Sequence, residues 1–116
     1  MGQTVMTFSG EPGPTTKITA SDAAQNLSAI FDNTSGRPAI GAVITCEAND
    51  VRFTMGGNIT TPTYPPTQGA AGLGHVFYSG QSLYLSSGPT VRTFQFINYT
   101  TQDNAIIQVT PLFERG

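Results

Sequence analysis

The ten residues Ala39–Ala48, AIGAVITCEA, constrain the fold more than any other stretch. Ile40, Ala42, Ile44, Cys46 and Ala48 recur at every second position, with Val43, Thr45 and Glu47 among the residues between them. Successive side chains of a strand point to opposite faces, so a period of two lays one apolar row along a β-strand, whereas a helix needs a period of 3.6. Asn49 and Asp50 then supply a turn, after which Val51, Phe53 and Met55 alternate with Arg52 and Thr54. The two runs read as a hairpin, with Glu47 and Arg52 projecting on one face as a cross-strand pair.

The same logic extends along the chain. LGHVFY at 73–78, QSLYL at 81–85 and TVRTFQFINY at 90–99 are apolar segments divided by Ser79-Gly80 and by Ser87-Gly88-Pro89. A last strand, NAIIQVTPLF at 104–113, follows the polar turn from Thr100 to Asp103; Pro111 lacks a backbone donor and marks it as an edge or as a strand with an unpaired end. At the other end Lys17 to Thr19 begins the first strand, after an extended arm over 1–15 in which Val5, Met6 and Phe8 precede Gly10, Pro12, Gly13 and Pro14. Ser21 and Asp22 can cap a helix, and Ala23, Leu27, Ile30 and Phe31 follow at helical spacing, which predicts one short helix over roughly 22–30. The turn-forming DNTSGRP ends it. About seven strands at this interval of turns predict an all-β fold, an antiparallel β-sandwich of jelly-roll type, in a single domain spanning 1–116.

Composition agrees and narrows the function. Seventeen threonines favour pleated surface over helix. Only 10% of residues are charged, against about 25% in an ordinary soluble domain, so the surface is neutral and polar. A net charge of −2 and a pI near 5.0 leave no field to recruit phosphates, which argues against nucleic acid. No run approaches the ~20 apolar residues of a membrane span, and no signal peptide is recognisable. The sequons at Asn26, Asn33, Asn58 and Asn98 are accidents of an Asn- and Thr-rich chain.

The inventory for chemistry is thin. With one His and one Cys no zinc site can be assembled, no disulfide can form, and no cofactor or metal is expected. Cys46, on the apolar face of the best strand, reads as buried and inert. His75, just after a glycine-rich loop, lacks an orienting partner and reads as packing at a loop-to-strand junction. Glu47 and Asp50 flank a turn beside Arg52, which neutralises them. Gly56, Gly57, Gly69, Gly72 and Gly74 are turn residues, since no Gly-Lys-Ser/Thr or helix follows them. Tyr64 and Tyr78, with Tyr84 and Tyr99 as further candidates, could make an aromatic sugar platform, though tyrosines on a β-sheet are common for packing alone, which is the favoured reading. The expectation is a protein that binds and is not an enzyme.

What is unusual is structural: the proline-interrupted arm, and the uncharged Gly- and Pro-rich stretch 56–72. Stretches of this length in compact domains are commonly functional, and an extended arm can add a strand to a neighbour's sheet without any charge. The expected contacts are Val5, Met6, Phe8, Pro12 and Pro14 in the arm and Tyr64, Pro65 and Pro66 in the loop.

The segments ITASDAAQNLSA, AVITCEANDVRFTMGG with Pro62-Thr63 after it, GHVFYSGQSLYL and VRTFQFINYTTQDNAIIQV together resemble small tailed-bacteriophage virion proteins. In that group a residue like Glu47 precedes V/I-R-F, a Gly-His opens the next strand, and a V-R-x-F-x-F strand follows; the likeness runs from about 16 to 113. It implies a capsid decoration or cement protein or another minor structural component, with a β-sandwich fold, often trimeric at symmetry points of the shell. The major capsid protein would be the partner, and the chain would be made in the bacterial host cytoplasm and end at the capsid surface of the virion. The 56–72 stretch is longer and richer in proline than that pattern. A tail, neck or fibre component is the neighbouring alternative, and a carbohydrate-binding β-sandwich module the alternative of a different class.

Overall fold

A computed structural model describes residues 10–27, 39–56, 65–101 and 103–114. In chain order it places β1 (Glu11–Pro12), β2 (Thr16–Thr19), β3 (Gln25–Asn26), β4 (Ala39–Ala48), β5 (Val51–Thr54), β6 (His75–Phe77), β7 (Ser82–Leu85), α1 (Gly88–Thr93), β8 (Gln95–Asn98) and β9 (Ile106–Phe113). Strands β2 to β9 pair from the outside in: β2 with β9, β3 with β8, β4 with β7 and β5 with β6, all antiparallel. The chain therefore runs as one doubled ribbon. Successive pairs alternate between two sheets, and rolling the ribbon sets β4 beside β9 and β5 beside β8. Sheet I has the order β2-β9-β4-β7, with β1 continuing the β2 side along β9, and sheet II the order β3-β8-β5-β6. This is a jelly-roll sandwich, the architecture that the alternating pattern predicts.

The core lies between the sheets. Ala42, Ile44 and Cys46 of β4 and Ile107 and Val109 of β9 face Val51, Phe53 and Phe96 of sheet II, all buried. Phe94 stacks on Phe53 at 5.2 Å and lies 6.1 Å from Phe96, and Phe77 meets Phe53 edge-on at 6.0 Å. Each such ring contributes about 2–3 kcal/mol by leaving water.

Four expectations change. The first concerns the helix predicted at 22–30: Ser21 closes a local turn onto Ala23 and accepts Asn98 N on its carbonyl, Asp22 is engaged by side chains of other loops, and Gln25–Asn26 pairs with β8 as a strand. Leu27 is wholly buried in the core, and 28–30 lie outside the described residues. The second is that a helix forms where a strand was expected to start. Ser87 caps α1 by accepting Thr90 N, with a proline in the first turn, and these start signals override the β-propensity of Thr90, Val91 and Thr93.

The third is that β4 and β5 are not a hairpin. Asn49 takes a left-handed φ of 60°, which Asn tolerates, and the chain crosses there from sheet I to sheet II. Glu47 and Arg52 consequently separate, and no cross-strand pair forms. The fourth is that β9 with its Pro111 is central, flanked by β4 on one side and by β1 and β2 on the other. Gly13 N donates to Pro111 O (2.8 Å), and a strand residue's N and O point to the same side. The proline nitrogen thus faces the break between β1 and β2, where no ladder bond is required of it.

Candidate functional site

The outer surfaces of the two sheets differ in kind. On sheet II, Arg52 of β5 and Ile97 of β8 are opposite one another and point away from the core, yet only 7% and 6% of their surfaces are exposed. Residues 65–74 fold over Arg52. The Arg52 guanidinium donates from Nε to Gly69 O at 2.9 Å, from Nη2 to Ala70 O at 3.2 Å and from Nη1 to Gly74 O, while its plane lies 5.1 Å from the Tyr99 ring centre. A planar fork of fixed donors suits three carbonyls converging from one loop, which an ammonium could not match.

The loop is closed by its own bonds as well. Thr67 N donates to Leu73 O, Leu73 N to Thr67 Oγ1, Gly72 N to Gly69 O and Gly69 N to Tyr99 O. Gly72 has no room for a side chain, since a Cβ there would lie 2.1 Å from Thr67 O. Gln68 Nε2 reaches Asp22 Oδ1, which also accepts Asn98 Nδ2; Asn98 bonds Asn104 Oδ1 and accepts Ala105 N. Asn98 is 1% exposed, so this small polar network ties three surface loops to one buried amide.

On sheet I the outward rows hold Val43, Thr45, Gln108, Thr110 and Tyr84, all half-buried, with Lys17 and Glu47 exposed at the sides. Hydroxyls and amides link neighbours across strands: Thr15 with Thr110 at 2.6 Å, Thr45 with Ser82 at 3.3 Å, and Gln108 Nε2 donating to Glu47 Oε2 at 2.8 Å. None of the described loops bonds across this face in the way that 65–74 crosses sheet II.

Compared with known proteins, the chain matches no family model, no curated protein and no solved structure.

Among the expected contact residues, Pro12 lies in β1 against Leu112, exposed, and Pro14 is exposed just beyond it. Two prolines on this outer edge blunt it against further strand addition. Pro65 is exposed and Pro66 is buried in its own chain, so only the former offers surface. Val5, Met6, Phe8 and Tyr64 lie outside the described residues.

The candidates for chemistry are dispersed. Cys46 is wholly buried with Sγ donating to Asn49 O at 3.0 Å, and burial, reinforced by the Asp50 charge, pushes its thiol up to about 11. His75 is exposed on β6 with its ring 5.3 Å from that of Phe53. Asp50 accepts Ser79 N and borders a shallow hollow with Asn49, Tyr99, Thr100 and Asp103. Among the described residues no three of His, Cys, Asp and Glu cluster to hold a metal, and no helix is long and apolar enough to cross a membrane. Tyr78 follows β6 of sheet II, Tyr84 stands on the outside of sheet I, and Tyr99 lies under Arg52, so these three tyrosines form no common platform. The Arg52 clamp and the Asn98 network had no sequence signal: each residue sits in an ordinary strand pattern, VRFT or QFIN.

Proposed function

We propose that the chain is a structural component of a phage virion, a capsid cement protein that binds neighbouring shell subunits and slows their separation, acting by association and not by catalysis. The observation that carries this reading is the jelly-roll sandwich with one broad face covered by its own loop and the other, among the described residues, crossed by none and almost uncharged. Jelly rolls recur in viral shell and lectin domains, which is an analogy of fold; the resemblance to tailed-phage virion proteins adds to it. The arm supplies the bridging element, with Val5, Met6 and Phe8 ahead of a β1 anchored on β9.

Cosedimentation of the purified full chain with capsids of the matching phage tests the reading. Removing residues 1–9 leaves β1 and the Gly13–Pro111 bond in place, so it should lower capsid binding at unchanged melting temperature; unchanged binding would refute the arm. Cosedimentation with tails instead of capsids would move the protein to the tail or neck. A glycan array that captures the chain, with no binding to either particle, would replace the virion reading by sugar binding.

A further inference from the structure

We infer that the outer face of sheet I is a self-association surface that pairs two copies of this chain about a two-fold axis parallel to β9. The inference is independent of the virion reading. It starts from the placement of charge. Within β2, β4, β7 and β9 there are two charged residues, Lys17 and Glu47, and both are exposed. Lys17 is directly across from Gln108 in the ladder between β2 and β9. Glu47 reaches the same Gln108 from the other side, from the bulge of β4 between Cys46 and Ala48. One cation and one anion thus flank the Gln108 side chain from opposite sides of β9, roughly 10 Å apart across the strands at the usual strand spacing.

Neither charge is matched by an opposite charge among the described residues. Lys17 has no hydrogen-bond or ion-pair partner among the described residues, and Glu47 has the neutral Gln108 amide. A two-fold axis over Gln108 and along β9 exchanges the flanks. It sets Glu47 of each copy over Lys17 of the other, with the two Gln108 side chains between the two ion pairs. Isologous contact requires such self-complementarity, and the remaining surface, Val43, Thr45, Thr110 and Tyr84, is low and uncharged, as face-to-face sheets require. Four strands at ~4.8 Å and a β9 of eight residues give a face of about 20 by 27 Å. That is smaller than the ~800 Å² per partner of a standard stable interface, so the pairing is weak and concentration-dependent.

Sedimentation velocity of the full chain from about 10 μM to 1 mM should show a reversible monomer–dimer equilibrium. Raising salt from about 0.05 to 0.5 M should weaken it several-fold, because both pairs are exposed to screening. Lys17→Glu and Glu47→Lys should each weaken the dimer about tenfold or more, since either reversal sets like charges face to face at two symmetric places. The double reversal should restore it to within about threefold, the signature of direct pairing between these residues. A monomer at every concentration overturns the inference. So does any oligomer, a trimer included, whose mass is indifferent to salt and to both single reversals. Both side chains are exposed, so the variants should fold, and an unchanged melting temperature checks it.

Discussion

The two outer faces of the sandwich are built from the same alternating strands, yet among the described residues a loop clamps onto one and none crosses the other. On sheet II an outward arginine is made burial-compatible by three backbone carbonyls from residues 65–74; on sheet I Thr110 bonds Thr15, Thr45 bonds Ser82 and Gln108 bonds the exposed Glu47. A sheet face that carries a long charged side chain must either leave it in water or surround it with acceptors, because an unsatisfied buried charge costs several kcal/mol. Threonine imposes no such demand. The covered face is therefore part of the stability of the fold, whereas the outward residues of sheet I make no such demand on the described loops.

The hardest test of that contrast is to remove the clamp. Arg52→Met keeps the length of the side chain and deletes its donors, leaving Gly69, Ala70 and Gly74 carbonyls without their partner. The expected loss is about 3 kcal/mol in urea unfolding, since bonds to charged groups are worth about 1.5–3 kcal/mol and orphaned acceptors add their desolvation. Backbone amides of Gly69, Gly72 and Leu73 should lose hydrogen-exchange protection together. A loss below 0.5 kcal/mol, a threshold typical of about any open surface site, would mean that the loop holds without Arg52 and that sheet II is no more sealed than sheet I.

Asn98→Leu probes the second tie of the covered side. It fits the volume but strips Ala105 N of its acceptor and Asp22 and Asn104 of a donor. About 2 kcal/mol should be lost, with proteolytic sensitivity appearing at 65–74 because Gln68 shares Asp22. If stability falls but the loop stays resistant, Asn98 serves the β8–β9 connection alone.

How much of this was legible beforehand follows the same division. The central strands were readable because burial on one face imposes a period of two, and Ala39–Ala48 and Ile106–Phe113 appear where that period placed them. The jelly-roll architecture followed from strand spacing. What escaped was decided by single bonds at ends: Ser87 capping a helix in a β-rich run, Ser21 closing a turn where a helix start was expected, and Asn49 sending the chain to the other sheet. The pairing of Glu47 with Arg52 failed for that last reason. Of the proposed contacts, the structure shows Pro12, Pro14 and Pro65 exposed and Pro66 buried; no alternation pattern distinguishes adjacent prolines of a loop that folds back on its own sheet.

Within β4 the inner and outer rows can also be compared by pH. Cys46 faces inward, and its thiol is raised to about 11 from an ordinary 9.0 by burial first and the Asp50 charge second. The folded thiol keeps its proton where the unfolded one has lost it. Its contribution is therefore constant below pH 9 and falls as pH rises from 9 toward 11, by about 1 kcal/mol at pH 10. Urea midpoints of the protein and of Cys46→Ala, followed from about pH 8 to 10.5, should diverge in slope over this window. Parallel slopes would show that solvent reaches the inner row.

The outer row of the same strand should respond least of all. Thr45→Val and Thr110→Val remove hydroxyls that bond Ser82 and Thr15 at the surface, but they keep β-branching and shape, and the released partners are met by water. Each should change stability by less than about 0.5 kcal/mol. A loss above about 1 kcal/mol per substitution, beyond what exposed hydroxyl pairs supply, would make the hydroxyl ladder a structural element. Sheet I would then hold its outer residues for its own sake, as sheet II does. A near-zero change leaves the composition of that face unexplained by folding and points to what it meets in association.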